Sequence, residues 1–285
     1  MNSILPPIAA VLPHSLTYHG DERIDPYYWL RDDTRSDPAV LDYLQAENGY
    51  TEAMLRPTEA LQKTLYQEMV DRQLPDDSSV PYYLKGYWYR SRYLPEQEYP
   101  LYERLAARPD APTELLLDGN QRAGDSDFYN LGALEISPSN HWMACSEDYV
   151  SRRQYQIRVR NLQTGDWLPD LVENTSGDVV WSADSAGFFY VRLDSETLLP
   201  YQVYYHSLGA EPAQDRLVYE EADNTYYLHI SHSRSEEYLL ISLSSTMSTE
   251  VHLLPLKIPH SSPTLFLARR RGHEYSLDHF QQQFY

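Results

Sequence analysis

The chain has 285 residues, of which 42% are hydrophobic and 23% charged, a globular composition that excludes collagen-like and intrinsically disordered classes. The formal charge of -19 argues against binding a nucleic-acid backbone or an anionic lipid surface and would attract cationic ligands. A single cysteine, Cys145, excludes an internal disulfide framework and fits a reducing compartment.

The apolar run Ile4–Leu12 carries Pro6 and Pro7 and has no basic residue before it. It reads as an extended arm rather than a signal peptide, and no segment reaches the roughly 18 apolar residues of a membrane span. Cytoplasmic placement without membrane association is therefore expected. Asp37-Pro38 is a helix start, an N-cap acid followed by proline at the first helical position. Val40, Leu41, Leu44, Met54 and Leu55 follow at helical spacing, with Gly49 weakening the middle. A second helix is expected from about Thr58 to Gln73, with Leu61, Leu65 and Met69 on one face. The string LPDDSSVP over 74–81 is polar and proline-bounded, so it reads as a linker or hinge.

After Pro81 the period becomes two. Tyr82–Leu84, a Lys85-Gly86 turn and Tyr87–Leu94 read as a hairpin, and seven tyrosines fall between Tyr82 and Tyr102. Three later passages resemble one another: ISPSNHWMACSED from Ile136, WSADSAGFFYVRLD from Trp181 and ISHSRSEEYLLISLSS from Ile230. Each has an apolar residue, a serine-led turn and a short apolar strand. Their spacing of roughly 45–50 residues is that of a four-stranded propeller blade. Blades are expected over 82–118, 128–170, 178–220 and 224–257, with a fifth beginning near Pro263. The fold class is thus mainly β: a helical segment over 1–73, a linker over 74–81, and over 82–285 an incomplete propeller of about four and a half blades. The closing HFQQQFY reads as a strand still in progress, so the chain looks cut short.

The residues offer little chemistry. Asp184-Ser185-Ala186-Gly187 lacks the glycine two positions before the serine and the following helix of a nucleophile elbow, so it reads as a turn. Cys145 follows Trp142, Met143 and Ala144 and reads as a buried strand thiol. His229 and His232 would point to opposite faces of a strand, and His273-Glu274 has Leu277 where a second zinc-ligating histidine would stand. No metal site is expected, and no cofactor. Asn174-Thr175-Ser176 reads as a loop rather than a glycosylation site, and Glu220-Glu221 and Asp76-Asp77 as solvated turns.

Longer strings carry a resemblance. HGDERIDPYYWLRDD from His19, DYLQAENGYTEAML from Asp42, SRRQYQIRVRNLQTG from Ser151, LLPYQVYYHSLG from Leu198, DRLVYEEADNTYYL from Asp215 and the final HEYSLDHFQQQFY resemble the prolyl oligopeptidase family of serine peptidases, in its oligopeptidase B branch. The similarity runs from Pro6 to Tyr285. It implies a seven-bladed propeller covering a C-terminal α/β-hydrolase domain, on which residues 1–73 would pack. It implies hydrolysis of short peptides after Arg or Lys by a Ser-Asp-His triad that has no counterpart in this chain. Asp127, Arg152 and Arg153 fall in stretches similar to those that supply salt bridges across the domain interface. The alternative is a stand-alone acidic propeller that binds cationic peptides or a protein partner.

Overall fold

The computed structural model describes residues 5–285. Ile4, which opens the apolar N-terminal run, lies outside them, and residues 5–13 form no helix or strand. Among the described residues no helix is long and apolar enough to cross a membrane. The chain divides into two compact units between Leu74 and Pro75.

In the first unit, β1 (His14–Tyr18) and β2 (Asp21–Asp25) form an antiparallel hairpin. Helix α1 (Pro38–Leu55) begins where the sequence predicts, with the Asp37 carboxylate accepting the N–H of Ala39 at 2.9 Å. Helix α2 (Glu59–Asp71) follows a single 3-10 turn at Arg56–Thr58. Both helices leave apolar side chains uncovered. Val40 is the only buried residue of α1, α2 has none, and Leu44, Leu61, Leu65 and Met69 stay exposed.

The second unit holds four antiparallel blades, the second and third continuous in one seven-stranded sheet, and a two-stranded hairpin at its end. In the first blade, β3 (Asp77–Ser78) and β4 (Tyr82–Leu84) lie along the same strand, β5 (Tyr87–Tyr93), followed by β6 (Leu101–Ala106) and β7 (Thr113–Asp118). Part of the stretch read as a linker is thus an interrupted inner strand, with Asp77 opposite Tyr93 and Tyr82 opposite Tyr89. A short helix, α3 (Gly119–Ala123), leads to β8 (Asn130–Ile136), β9 (Trp142–Asp148) and β10 (Tyr155–Asn161).

Strand β11 runs unbroken from Trp167 to Trp181 and serves two blades. Trp167 to Thr175 pairs with β10, and Thr175 to Trp181 pairs with β12 (Gly187–Leu193). The Asn-Thr-Ser string read as a loop lies inside this strand, where Asn174 donates its side-chain amide to Leu193 O at 3.1 Å. Gly177, at φ 99°, passes the Tyr155 ring so closely that a Cβ would sit 2.9 Å from it. Strands β13 (Pro200–Ser207) and β14 (Arg216–Glu220) complete the third blade. The fourth holds β15 (Tyr227–His232), β16 (Tyr238–Ser244), β17 (Thr249–Pro255) and β18 (Thr264–Leu267).

The closing HFQQQFY is not a continuing strand. It folds as a tight hairpin of β19 (His279–Phe280) and β20 (Gln283–Phe284), turning at Gln281 and Gln282, both at positive φ.

The core lies in three seams between successive blades, and a smaller cluster of Leu240, Val251 and Leu253 packs under Tyr275 and Leu277. Tyr89, Leu116, Ile136, Met143 and Cys145 fill the first; Ala144, Ile157, Val159, Trp181 and Phe188 the second; Phe189, Val203, Leu228, Leu239 and Ile241 the third. Two-residue alternation explains this, because each blade offers one face to each neighbour. The repeated serines also have a role. Ser137, Ser182 and Ser233 are fully buried and close the turn before the second strand of their blades. Ser137 donates its N–H to Trp142 O and Ser233 to Tyr238 O, each at 2.9 Å, and their hydroxyls accept the N–H groups of Trp142 and Tyr238 at 3.1 and 3.2 Å.

Candidate functional site

Antiparallel alternation divides the loops of the second unit between its two ends. The β3–β5 register brings Asp77, where the chain enters the first blade, level with the start of the β5–β6 connection. The β9–β10 and β12–β13 loops and the links between blades share that end. Asn120 in α3 ties two of these segments, accepting from Tyr99 N at 2.9 Å and donating to Tyr99 O at 2.7 Å.

Asp127, Arg152 and Arg153 all stand at this end, and all three are exposed. Among the described residues none of them forms an ion pair. Arg152 and Arg153 are held out by the loop over 149–154. Its shape is set by Asp148, almost fully buried, whose carboxylate accepts N–H groups from Val150 at 2.8 Å, Ser151 at 3.1 Å and Arg153 at 2.7 Å. Ser151 and Arg153 take positive φ to make these bonds.

Below the loop, Glu147 is 0% exposed. It receives Arg122 Nε at 2.7 Å and Nη2 at 2.5 Å, and the Tyr129 hydroxyl at 3.1 Å. Arg122 also lies over the Trp167 ring at 4.7 Å and takes the Tyr149 hydroxyl on its backbone carbonyl at 3.2 Å. The bidentate carboxylate raises the Arg122 pKa, with burial opposing. Burial and the nearby Glu147 charge push Tyr149 up to about 12. Arg122 is thus cationic and Tyr149 neutral at neutral pH. Beside them is a recess of about 420 Å³ lined by Glu147, Tyr149, Gln154, Tyr155, Glu173 and Asn174 among others.

A second recess at this end, about 270 Å³, is lined by Asp194, Glu196, Tyr201, Glu221, Asp223 and Tyr226 among others. Glu221 corrects the expectation of a solvated turn. Its side chain is 7% exposed and binds Arg269 Nη2 at 2.5 Å, while Glu220 beside it stays exposed. Arg269 also reaches Glu250 at 2.9 Å and lies over the Tyr226 ring at 3.9 Å. Residues 221, 250 and 269 are too far apart in sequence for spacing to reveal the cluster. Asp76 likewise pairs in a fork with Arg92, at 3.0 and 2.9 Å, and Asp77 is a strand residue.

The other singled-out residues have structural places. Ser185 is a turn residue at φ 60° whose hydroxyl accepts Ser139 N at 3.0 Å, joining the turns of neighbouring blades. Cys145 is completely buried, and desolvation pushes its thiol up. Among the described residues no three His, Cys, Asp or Glu side chains converge as metal ligands.

This arrangement, blades around apolar seams with charged loops gathered at one end, defines a β-propeller. Residues 6–285 match the model of the prolyl oligopeptidase N-terminal β-propeller domain. The chain therefore belongs to the prolyl oligopeptidase family. It is 42% identical over 97% of its length to dipeptidyl aminopeptidase BI of Pseudoxanthomonas mexicana, and 33% identical over 96% to protease 2 of Moraxella lacunata. Among solved structures, oligopeptidase B of Leishmania major superposes over 97% of the chain with a TM-score of 0.90 at 30% identity. Oligopeptidase B of Trypanosoma brucei, closed with covalently bound antipain, does so with 0.88 at 29%. The chain spans 40% of the length of both relatives and 41% of both solved chains.

Proposed function

We propose that this chain is the propeller-bearing N-terminal part of an oligopeptidase B-like serine peptidase that cleaves short peptides after Arg or Lys, and that it selects substrate without performing the chemistry. The carrying observation is the match of residues 6–285 to a propeller domain, at about two fifths of the relatives' length. A propeller over a catalytic centre admits flexible peptides and excludes folded proteins by size. The acid-lined recess at the loop-bearing end favours cationic peptides. The bare apolar faces of α1 and α2 fit burial against an α/β-hydrolase domain carried by the remaining three fifths. Asp127, Arg152 and Arg153, exposed and without ion-pair partners among the described residues, would meet opposite charges on that domain.

The purified chain should not release chromophore from an Arg-ending chromogenic peptide. Turnover abolished by a serine-directed inhibitor would refute the division of labour. In a protein restored to the length of its relatives, Arg152→Ala and Arg153→Ala should change peptide turnover, and unchanged kinetics in both would remove the interface role. A second reading concerns the cleavage mode. The higher identity to a dipeptidyl aminopeptidase favours release of dipeptides from free N-termini. Comparing N-blocked with unblocked peptides on the restored protein separates the two.

A further inference from the structure

One buried histidine in the second seam stands between two acids. His206 of β13 is 0% exposed and lies between two carboxylates: its Nε2 is 2.9 Å from Asp170 Oδ1 and its Nδ1 is 2.8 Å from Asp215 Oδ1. Asp170 belongs to the first half of β11, in the second blade; His206 and Asp215 belong to the third.

We propose that His206 is held as a cation in the folded chain, an imidazolium that latches the outer strand of the second blade to the third and releases it at alkaline pH. A neutral imidazole has one N–H and one lone pair. With both aspartates ionised, the neutral ring would turn its lone pair toward a carboxylate oxygen at under 3 Å. Only the doubly protonated ring donates to both.

The surroundings support the charged form. Asp170 Oδ1 also accepts Gly209 N at 2.6 Å. Asp215 Oδ2 accepts the Tyr190 hydroxyl at 2.9 Å, and that hydroxyl accepts Arg192 Nη2 at 3.2 Å. The Phe188 ring, 5.1 Å away, contributes no charge. The groups facing the imidazole are thus two acids, one phenol and, through the phenol, one guanidinium. Burial opposes the charge on the ring, and hydrogen bonds to Asp215 and Asp170 outweigh it, so its pKa is raised from 6.5.

The direction of the pH effect follows from that raised value. The latch contributes fully below the ordinary histidine pKa and is lost as pH rises through the folded-state value. Removing the proton leaves the two buried carboxylates one ring N–H to share, and the β11–β13 link opens first. The ion pairs of the flanking seams, Arg122 with Glu147 and Arg269 with Glu250, carry arginine cations and have no such dependence.

Long-range proton–nitrogen correlation spectra of the whole 15N-labelled chain, recorded from pH 5 to 10, test this. At pH 8 one ring should keep both nitrogens at the protonated shift. That ring should vanish in His206→Gln or, should that variant not fold, change shift in Asp170→Asn. Above its titration, amide exchange of residues 168–172, corrected for intrinsic base catalysis, should accelerate at least tenfold over that of residues 239–243. A neutral-tautomer His206 at pH 8 would overturn the proposal, as would exchange at 168–172 that does not change through the titration.

Discussion

Replacing Glu147 by Gln removes the charge under the Arg152–Arg153 loop while keeping its shape. Arg122, its side chain 23% exposed, would then be an arginine without a counter-charge inside the unit. Breaking a buried pair from one side costs about 3–5 kcal/mol, and the partial exposure of Arg122 places this case near 3. In the 211 residues from Pro75 to Tyr285, each kcal/mol shifts Tm by about 2–4 °C, so a fall of about 6–12 °C is expected. Differential scanning calorimetry of the chain reads it directly. The double variant Arg122→Met with Glu147→Leu should recover much of the loss, since an apolar pair of similar volume leaves no uncompensated charge. A single-variant shift below about 2 °C, or a double variant as unstable as the sum of the singles, would refute the account.

Three other outcomes are expected. Burial works against the charge on Glu250, but hydrogen bonds from Arg269 and His252 outweigh it and hold its carboxyl at about 2, below its ordinary 4.5. Its stabilisation is present above pH 4.5 and lost as pH falls toward 2, so acid unfolding of Glu250→Gln followed by circular dichroism should be flatter over that window. Cys145 should resist iodoacetamide at pH 8 in the folded chain and react fully in urea, as mass spectrometry would show. At Gly187 a Cβ would lie 2.2 Å from the carbonyl oxygen of His206, so Gly187→Ala should cost about 3 kcal/mol in urea unfolding.

The blades were legible because serine-led turns recur where a buried hydroxyl must close the first hairpin, as at Ser137, Ser182 and Ser233. Helix α1 was legible for a similar local reason, the Asp37-Pro38 start. Asn174 to Gly177 has the composition of a turn, yet the chain runs straight through it. Asn174 at φ 59° and Gly177 at φ 99° absorb a bulge instead of a reversal, a choice fixed by the Tyr155 ring alongside. The charged clusters were hidden for another reason. Glu147 and Arg122 are 25 positions apart, and His206 lies 36 from Asp170, so only the stacking of blades brings them together. Arg152 and Arg153 were reached only through the resemblance of their stretch, and nothing local marked Asp148 as the acceptor that displays them.

Strand β11 has a mechanical consequence. Wherever two blades are joined by a loop, tension or a protease can part them without disturbing either sheet. Between the second and third blades there is no such slack, because one extended backbone belongs to both ladders. A pull that peels Trp167 away from β10 would be transmitted through Thr175 to β12. These two blades should therefore tear as one piece under force, and a viable excision or permutation of the chain would have to fall on either side of them.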